Sequence, residues 1–268
     1  MIMPKKRDLV YELVRKNLKV RYARPSLGLL WTFLSPFLLV AIFYIVFSIV
    51  LKVKIEEAPF VLYLMSAVFP WRFFQDSLVE STTSLVDNKN LIREARFPYY
   101  MIPVSIVFTN SIVFLPSLII LVFASLVILK GASTFILMLP LVLIIHFFIT
   151  MWLSIIASLL YARWRDVKYI LEPILVLLFY MTPVFYSVRF VKESFSPLLF
   201  KIYTYNPFVG ILNFYRITLF KDACRVFQGF FDPLSFFVIP VCFSVATFIL
   251  CLYIYRKYKN RIIDYVSY

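Results

Sequence analysis

Apolar positions fall along this chain in long unbroken runs instead of the short alternations of a soluble domain. Residues 29–51 carry no charge across 23 positions. Residues 59–82 begin apolar and then admit Arg72, Asp76 and Glu80, while 101–129 and 135–161 are charge-free runs joined only by Lys-Gly-Ala-Ser-Thr. Residues 169–188, with one acid at Glu172, and 234–255 complete the set. A bilayer core about 30 Å thick needs roughly 20 apolar residues of helix to cross it. The pattern therefore predicts an all-α integral membrane protein with six transmembrane helices in one domain covering residues 1–268.

Two further segments fit neither loop nor span. Over residues 9–20 a helical period puts Leu9, Val10, Leu13, Val14 and Leu18 on one side and Glu12, Arg15, Lys16 and Lys19 on the other. This predicts an amphipathic helix lying in the membrane interface within the cytoplasmic segment 1–28. Pro25 disfavours helix at Arg24, so the chain turns there into the first span. Residues 203–220 are apolar enough to enter the bilayer, yet a seventh crossing would export the basic tail. They are expected to be re-entrant or interfacial helices between spans five and six, broken at Asn206 and Pro207. Prolines in or at the ends of spans, Pro36, Pro70, Pro116, Pro140, Pro173, Pro183 and Pro240, are expected to kink them.

Charge orients this arrangement. The formal net charge of +14 suggests a nucleic-acid surface, but 62% hydrophobic residues, 16% charged residues and a mean hydropathy of +0.88 exclude a soluble fold that could present one. Lys and Arg collect on the cytoplasmic side of a membrane. With the N-terminus inside, the inner segments hold 18 of the 28 basic residues, and both termini are expected to be cytoplasmic. The first span exceeds a signal peptide's apolar region and no small-residue cleavage site follows, so it is expected to be retained.

Catalytic signatures are sparse. The four glycines form no phosphate-cradling turn, so no ATP site of the P-loop kind is expected. Cys224 lies in the outer segment, apart from Cys242 and Cys251 in the last span, which supports neither a disulfide framework nor a zinc site. One histidine, His146, sits inside the fourth span and is read as a helix-to-helix hydrogen-bonding group. Arg72, Asp76 and Glu80 share one helical stripe. They either flank a polar pathway, or Arg72 pairs with Asp76 while Glu80 meets the interface; charges at this depth must face protein or water.

Six motifs then occur in order: RYARPSLGLLWTFLSP, FPWRFF, SLVDNKNLIREARFP, RWRDV, TPVFY and NPFVGILNFYR. In this the chain resembles the transmembrane, or permease, subunits of ABC-2 type polysaccharide exporters, over about residues 12–220. It departs in having Val68 and Phe69 where that family often has Gly before the Pro-Trp pair, and Ala162 where it often has Asn before the Arg-Asp pair. The resemblance implies a homodimer in the bacterial inner membrane, bound to two copies of a cytoplasmic ATPase that carries the ATP and Mg, with no cofactor, metal or catalytic residue in this chain. Its substrate would be a glycan on a polyprenyl diphosphate lipid, and lipids rather than nucleic acid its surroundings. Arg15, Lys19, Arg21 and Arg24 are candidate contacts for the lipid diphosphate. Tyr44, Phe47, Phe179, Tyr180, Phe185 and Tyr186 are candidate channel aromatics, since aromatic faces slide on the apolar faces of sugar rings. Coupling to the ATPase is assigned to Asp87, Asn88, Lys89, Asn90, Leu91, Ile92 and Arg93, a short amphipathic helix from Asn88, supported by Arg163, Arg165 and Asp166. The competing readings are an ABC-2 exporter of a small lipid or drug and a polyprenyl-phosphate membrane enzyme; against the enzyme, the inner loops offer only Asp87, Glu94 and Asp166, each flanked by basic residues.

Overall fold

The computed structural model describes residues 6–22, 30–53, 55, 57–94, 98–221, 223, 235–259 and 261–267, and among these every regular element is helical. The helix expected over residues 9–20 forms α1, Lys6–Tyr22. The first apolar run forms α2, Leu30–Phe43, and continues as π-helical turns over Tyr44–Val50. Next come α3 (Phe60–Asp87), α4 (Lys89–Glu94) and α5 (Met101–Ile128). A 3-10 turn at Ile136–Met138 leads into α6 (Leu139–Arg163), followed by α7 (Val167–Tyr180). Three shorter helices, α8 (Val188–Ser194), α9 (Pro197–Thr204) and α10 (Pro207–Leu219), precede α11 (Ser235–Tyr258) and α12 (Ile262–Ser267).

Among the described residues three stretches, Met101–Ile128, Ile136–Arg163 and Phe236–Tyr258, are long and apolar enough to cross a membrane. The other expected spans differ in detail. The helix of the first run is divided between α and π geometry, and α3 runs five residues past the expected end while keeping its three charges. The fifth run departs most: α7 stops at Tyr180, about 21 Å of helix at 1.5 Å per residue. Beyond it Thr182 turns back to donate to the Phe179 carbonyl (2.8 Å), Val184 N donates to the Thr182 carbonyl (2.8 Å), and Pro183 supplies no N–H, so the helix cannot continue to 188.

Helix α3 is the centre of the bundle, packing on α2, α5, α6, α7 and α10, while α6 also packs on α11. Small hydroxyl residues permit this closeness. Ser66, Thr82 and Ser84 of α3, Ser105 and Thr109 of α5, and Thr150 and Ser158 of α6 are buried, and each donates to a carbonyl three or four residues earlier at 2.6–2.8 Å. A buried hydroxyl satisfied within its own helix leaves no cost to the neighbour, so the backbones can approach.

The break expected at Asn206 and Pro207 is present. Asn206 Oδ1 accepts from Phe208 N (3.0 Å) and Pro207 opens α10, whose residues Phe208–Leu219 are all buried against α3, α6 and α11. Gly210 sets that approach. A Cβ there would lie 2.8 Å from the Pro240 ring and 3.1 Å from the Phe236 carbonyl. Pro240 has no N–H to offer that carbonyl from within α11, which frees the helix surface on which α10 rests. Both neighbours are stiff, so Gly210→Ala should cost about 1–3 kcal/mol. The check is the midpoint of thermal unfolding in detergent, which should fall for Gly210→Ala and hold for Gly131→Ala, whose Cβ would meet only the flexible end of Lys221 at 3.8 Å.

Candidate functional site

At one end of the bundle lie the residues assigned to coupling. Thr83 donates to Asp87 Oδ2 (2.6 Å) and Asn88 Nδ2 to the Ser84 carbonyl (2.9 Å), closing α3 and letting α4 start anew at Lys89. In α4 the amphipathic division holds where side chains are described: Ile92 is buried, Leu91 half-buried, and Lys89 and Asn90 exposed. Arg93 belongs to the helix, but its side chain lies outside the described residues. In the turn between α6 and α7, Arg163 and Asp166 are exposed. Arg165 is half-buried, its guanidinium 5.2 Å from the Tyr161 ring.

Helix α1 is tied to this end and to the bundle interior at once. Lys16 Nζ donates to Asn88 Oδ1 (3.2 Å), Asn17 Nδ2 to Ser105 Oγ (3.3 Å), and Arg21 reaches both Glu80 and Asn110. The Arg21–Glu80 contact is 2.5 Å, and Asn110 Nδ2 donates to the same carboxylate at 3.1 Å. Of the four candidate diphosphate contacts, Arg15 and Lys19 are exposed, Arg24 lies outside the described residues, and Arg21 is committed to a carboxylate. The resemblance offered Arg21 only as a diphosphate contact. Its reach to Glu80, on another helix 59 positions away, was invisible to local periodicity.

The charged stripe of α3 proves to be shared. Arg72 Nη1 lies 3.8 Å from Asp76 Oδ1 and Arg72 Nη2 donates to Ser35 Oγ of α2 (3.1 Å), while Glu80 turns to α1. All three line a cavity of about 270 Å³ with Arg21, Ser35 and Asn110. Both earlier readings thus hold in part: the intrahelical pair exists, and it borders a polar space. His146 Nδ1 meets Tyr215 Oη at 3.2 Å, joining α6 to α10, the interhelical bond expected.

At the other end the candidate aromatics gather around one ring. Phe185 stacks on Phe47 at 4.3 Å with an 11° interplanar angle, and lies 6.1 Å from Phe179, 5.7 Å from Tyr180 and 5.6 Å from Tyr186. Tyr44 stands apart and meets Phe60 at 6.5 Å. Phe43, not among the candidates, joins the cluster 5.8 Å from Phe179 and 6.1 Å from Phe185. The π-helical turns after Phe43 rotate the following side chains away from α-helical spacing, so counting by 3.6 could not place them.

Sequence reasoning also missed Arg216. It is fully buried, its guanidinium 3.5 Å from the centre of the Tyr63 ring. Its Nε donates to Ser66 Oγ (3.3 Å), its Nη1 to Asn213 Oδ1 (3.1 Å), and its Nη2 to the Pro183 carbonyl. Tyr63 in turn donates to the Tyr186 carbonyl (2.8 Å). One cation thus holds α10, the start of α3 and the turn that presents Phe185. A lone arginine in the apolar run 203–220 was the available signal, because such a charge must be paired inside the protein.

Residues 8–220 match the family described as ABC-2 type transporter. The chain is 31% identical over 210 residues to an O-antigen export system permease protein of Klebsiella pneumoniae, covering 78% of this chain and 79% of that protein. It is 29% identical over 216 residues to the O-antigen export system permease protein of Myxococcus xanthus, with 80% and 81% covered.

Arg216→Met should leave buried acceptors without a donor, each costing about 1–3 kcal/mol. Lysine has no planar fork with which to reach all three. Unfolding midpoints in detergent should therefore fall for both Arg216→Met and Arg216→Lys, whereas the exposed Arg15→Met should match wild type.

Proposed function

Because this chain belongs to the ABC-2 type transporter family, we propose that it is the transmembrane subunit of an ATP-driven exporter that carries a lipid-linked polysaccharide across the bacterial inner membrane. The observation that carries the substrate class is the similarity over four-fifths of the chain to permeases named for O-antigen export. In this reading the chain crosses six times with both termini in the cytoplasm. The three long apolar helices are joined by the first run, α3 and α7, and α8–α10 cover the outer face. Two copies form the path, and each binds one ATPase subunit, where ATP and Mg are held. The small-lipid exporter and the polyprenyl-phosphate enzyme are both disfavoured by the names of the relatives.

In this reading each step has a physical agent. The glycan carrier approaches α1, whose exposed Arg15 and Lys19 attract the diphosphate by charge. Arg21 contributes by anchoring α1 through Glu80, not by direct contact. Sugars pass aromatic faces that offer area without fixed hydrogen bonds, so no unit is held tightly. ATP hydrolysis acts through α4 and the Arg163–Asp166 loop, and Lys16 hands displacement of Asn88 on to α1. Force must cross through contacts of this kind.

Cells lacking the chain should lose surface glycan and accumulate it, still lipid-linked, inside; a full surface coat with a small lipid retained instead would refute the reading. Reversing charge at Lys89 and Arg93 together should lower ATPase association about tenfold or more while insertion persists, measured by co-purification and membrane yield. Phe185→Ala with Tyr186→Ala should slow export more than it slows ATP hydrolysis, measured as surface glycan against phosphate release.

A further inference from the structure

The sequence treats residues 256–268 only as a basic tail that sets topology. In the structure the tail turns back. After α11 ends at Tyr258 the chain forms α12, six residues long, with Ile262 and Val266 buried. A helix of this length has no stability of its own in water, so it exists because it is docked. It packs on two elements, the end of α6 and α4.

The contacts with the α6 end are specific. The Arg163 guanidinium lies among three rings, 4.7 Å from Trp164, 5.4 Å from Tyr258 and 5.6 Å from Tyr265, and donates to Tyr265 Oη at 3.4 Å. Arg165 Nη2 donates to the Tyr265 carbonyl (3.4 Å), and the Tyr258 and Tyr265 rings meet at 6.3 Å. An arginine shared by several aromatic faces is held in place without being neutralised. On the other side α12 adjoins α4, whose Ile92 is buried. The last helix therefore touches both inner loops, which lie about 70 positions apart in sequence.

We propose that α12 is a strap that joins α4 and the Arg163–Asp166 loop into one rigid docking face for the ATPase subunit. This rests on the coupling role assigned to those loops above. The partner surface it fits is acidic with an apolar slot. Among the described side chains, Lys89, Arg163, Lys259 and Arg261 are exposed here against Asp87 and Asp166, and Trp164 stands out with 46% of its surface free. With the strap docked, a push on either loop moves both. Without it each loop yields separately and hydrolysis loses its grip on the membrane helices.

The test uses the full chain in lipid nanodiscs, with the ABC ATPase subunit that co-purifies with wild type expressed separately and added back at known concentration. Ile262→Asp with Val266→Asp undocks the helix, and Tyr265→Leu, which removes the ring and hydroxyl but keeps an apolar side chain, guards against a folding failure. Amide exchange of residues 89–94 in the chain alone should accelerate about tenfold in the double variant and less in Tyr265→Leu. ATPase affinity should fall in the same order, with Ile262→Leu unchanged. Unchanged exchange in 89–94 overturns the strap whatever the ATPase does. If charge reversal at Lys89 and Arg93 abolishes association while undocking α12 leaves it intact, the strap is wrong and the coupling role stands. If neither change affects association, the coupling role fails and the strap's purpose with it.

Discussion

A charge or a backbone group that leaves water for hydrocarbon must find its partner inside the protein, and the shape of this chain follows from how that demand is met. Three arginines meet it at three places. Arg21 is neutralised by Glu80 and steadied by Asn110, Arg72 shares Asp76 and Ser35, and Arg216 is surrounded by carbonyl, amide, hydroxyl and ring. None of the three is satisfied only within its own helix, so each fixes one helix relative to others. The hydroxyls that bond back within their own helices do the reverse: they leave the helix surface indifferent and let packing decide.

This division of labour explains which parts are fixed and which can transmit motion. Arg216 pins the turn that carries Phe185 to the buried α10 and the start of α3. At the other end of the bundle α1, packed on α5 with Leu13 buried, is tied by side-chain hydrogen bonds to Asn88, Ser105, Glu80 and Asn110, contacts that can be altered one at a time. A transporter needs both, a rigid frame around the path and a helix whose position responds to its partner. The polar cavity beside Arg72 lies between the two.

Much of the fold was legible in the sequence because a bilayer enforces simple rules. Run length and the absence of charge located α5, α6 and α11 to within a few residues, and the 3.6-residue period found α1 and the apolar face of α4. The break before α10 followed from Asn206 and Pro207. What escaped was set by contacts distant in sequence. Arg21 was offered as a diphosphate contact, and its partner Glu80 stands on another helix 59 positions away. The early end of α7 depended on Thr182 and Pro183 reorganising the turn, and Phe43, the last residue of α2, joins the aromatic cluster by meeting Phe179 and Phe185, far along the chain. The residues assigned to coupling were read from a motif, yet the helix that adjoins them lay in a tail whose basic residues suggested topology alone.

The central claim, that this chain and an ATPase together move a lipid-linked glycan across a bilayer, is tested most directly by reconstitution. The purified chain and its ATPase subunit would be placed in liposomes with a radiolabelled glycan on polyprenyl diphosphate, and glycan exposed to an added impermeant glycosidase counted over time. The account predicts movement that needs ATP, the ATPase and this chain together, and that is lost when the glycan is trimmed from the carrier. Movement without ATP, or new glycosidic product formed by this chain alone, would contradict it.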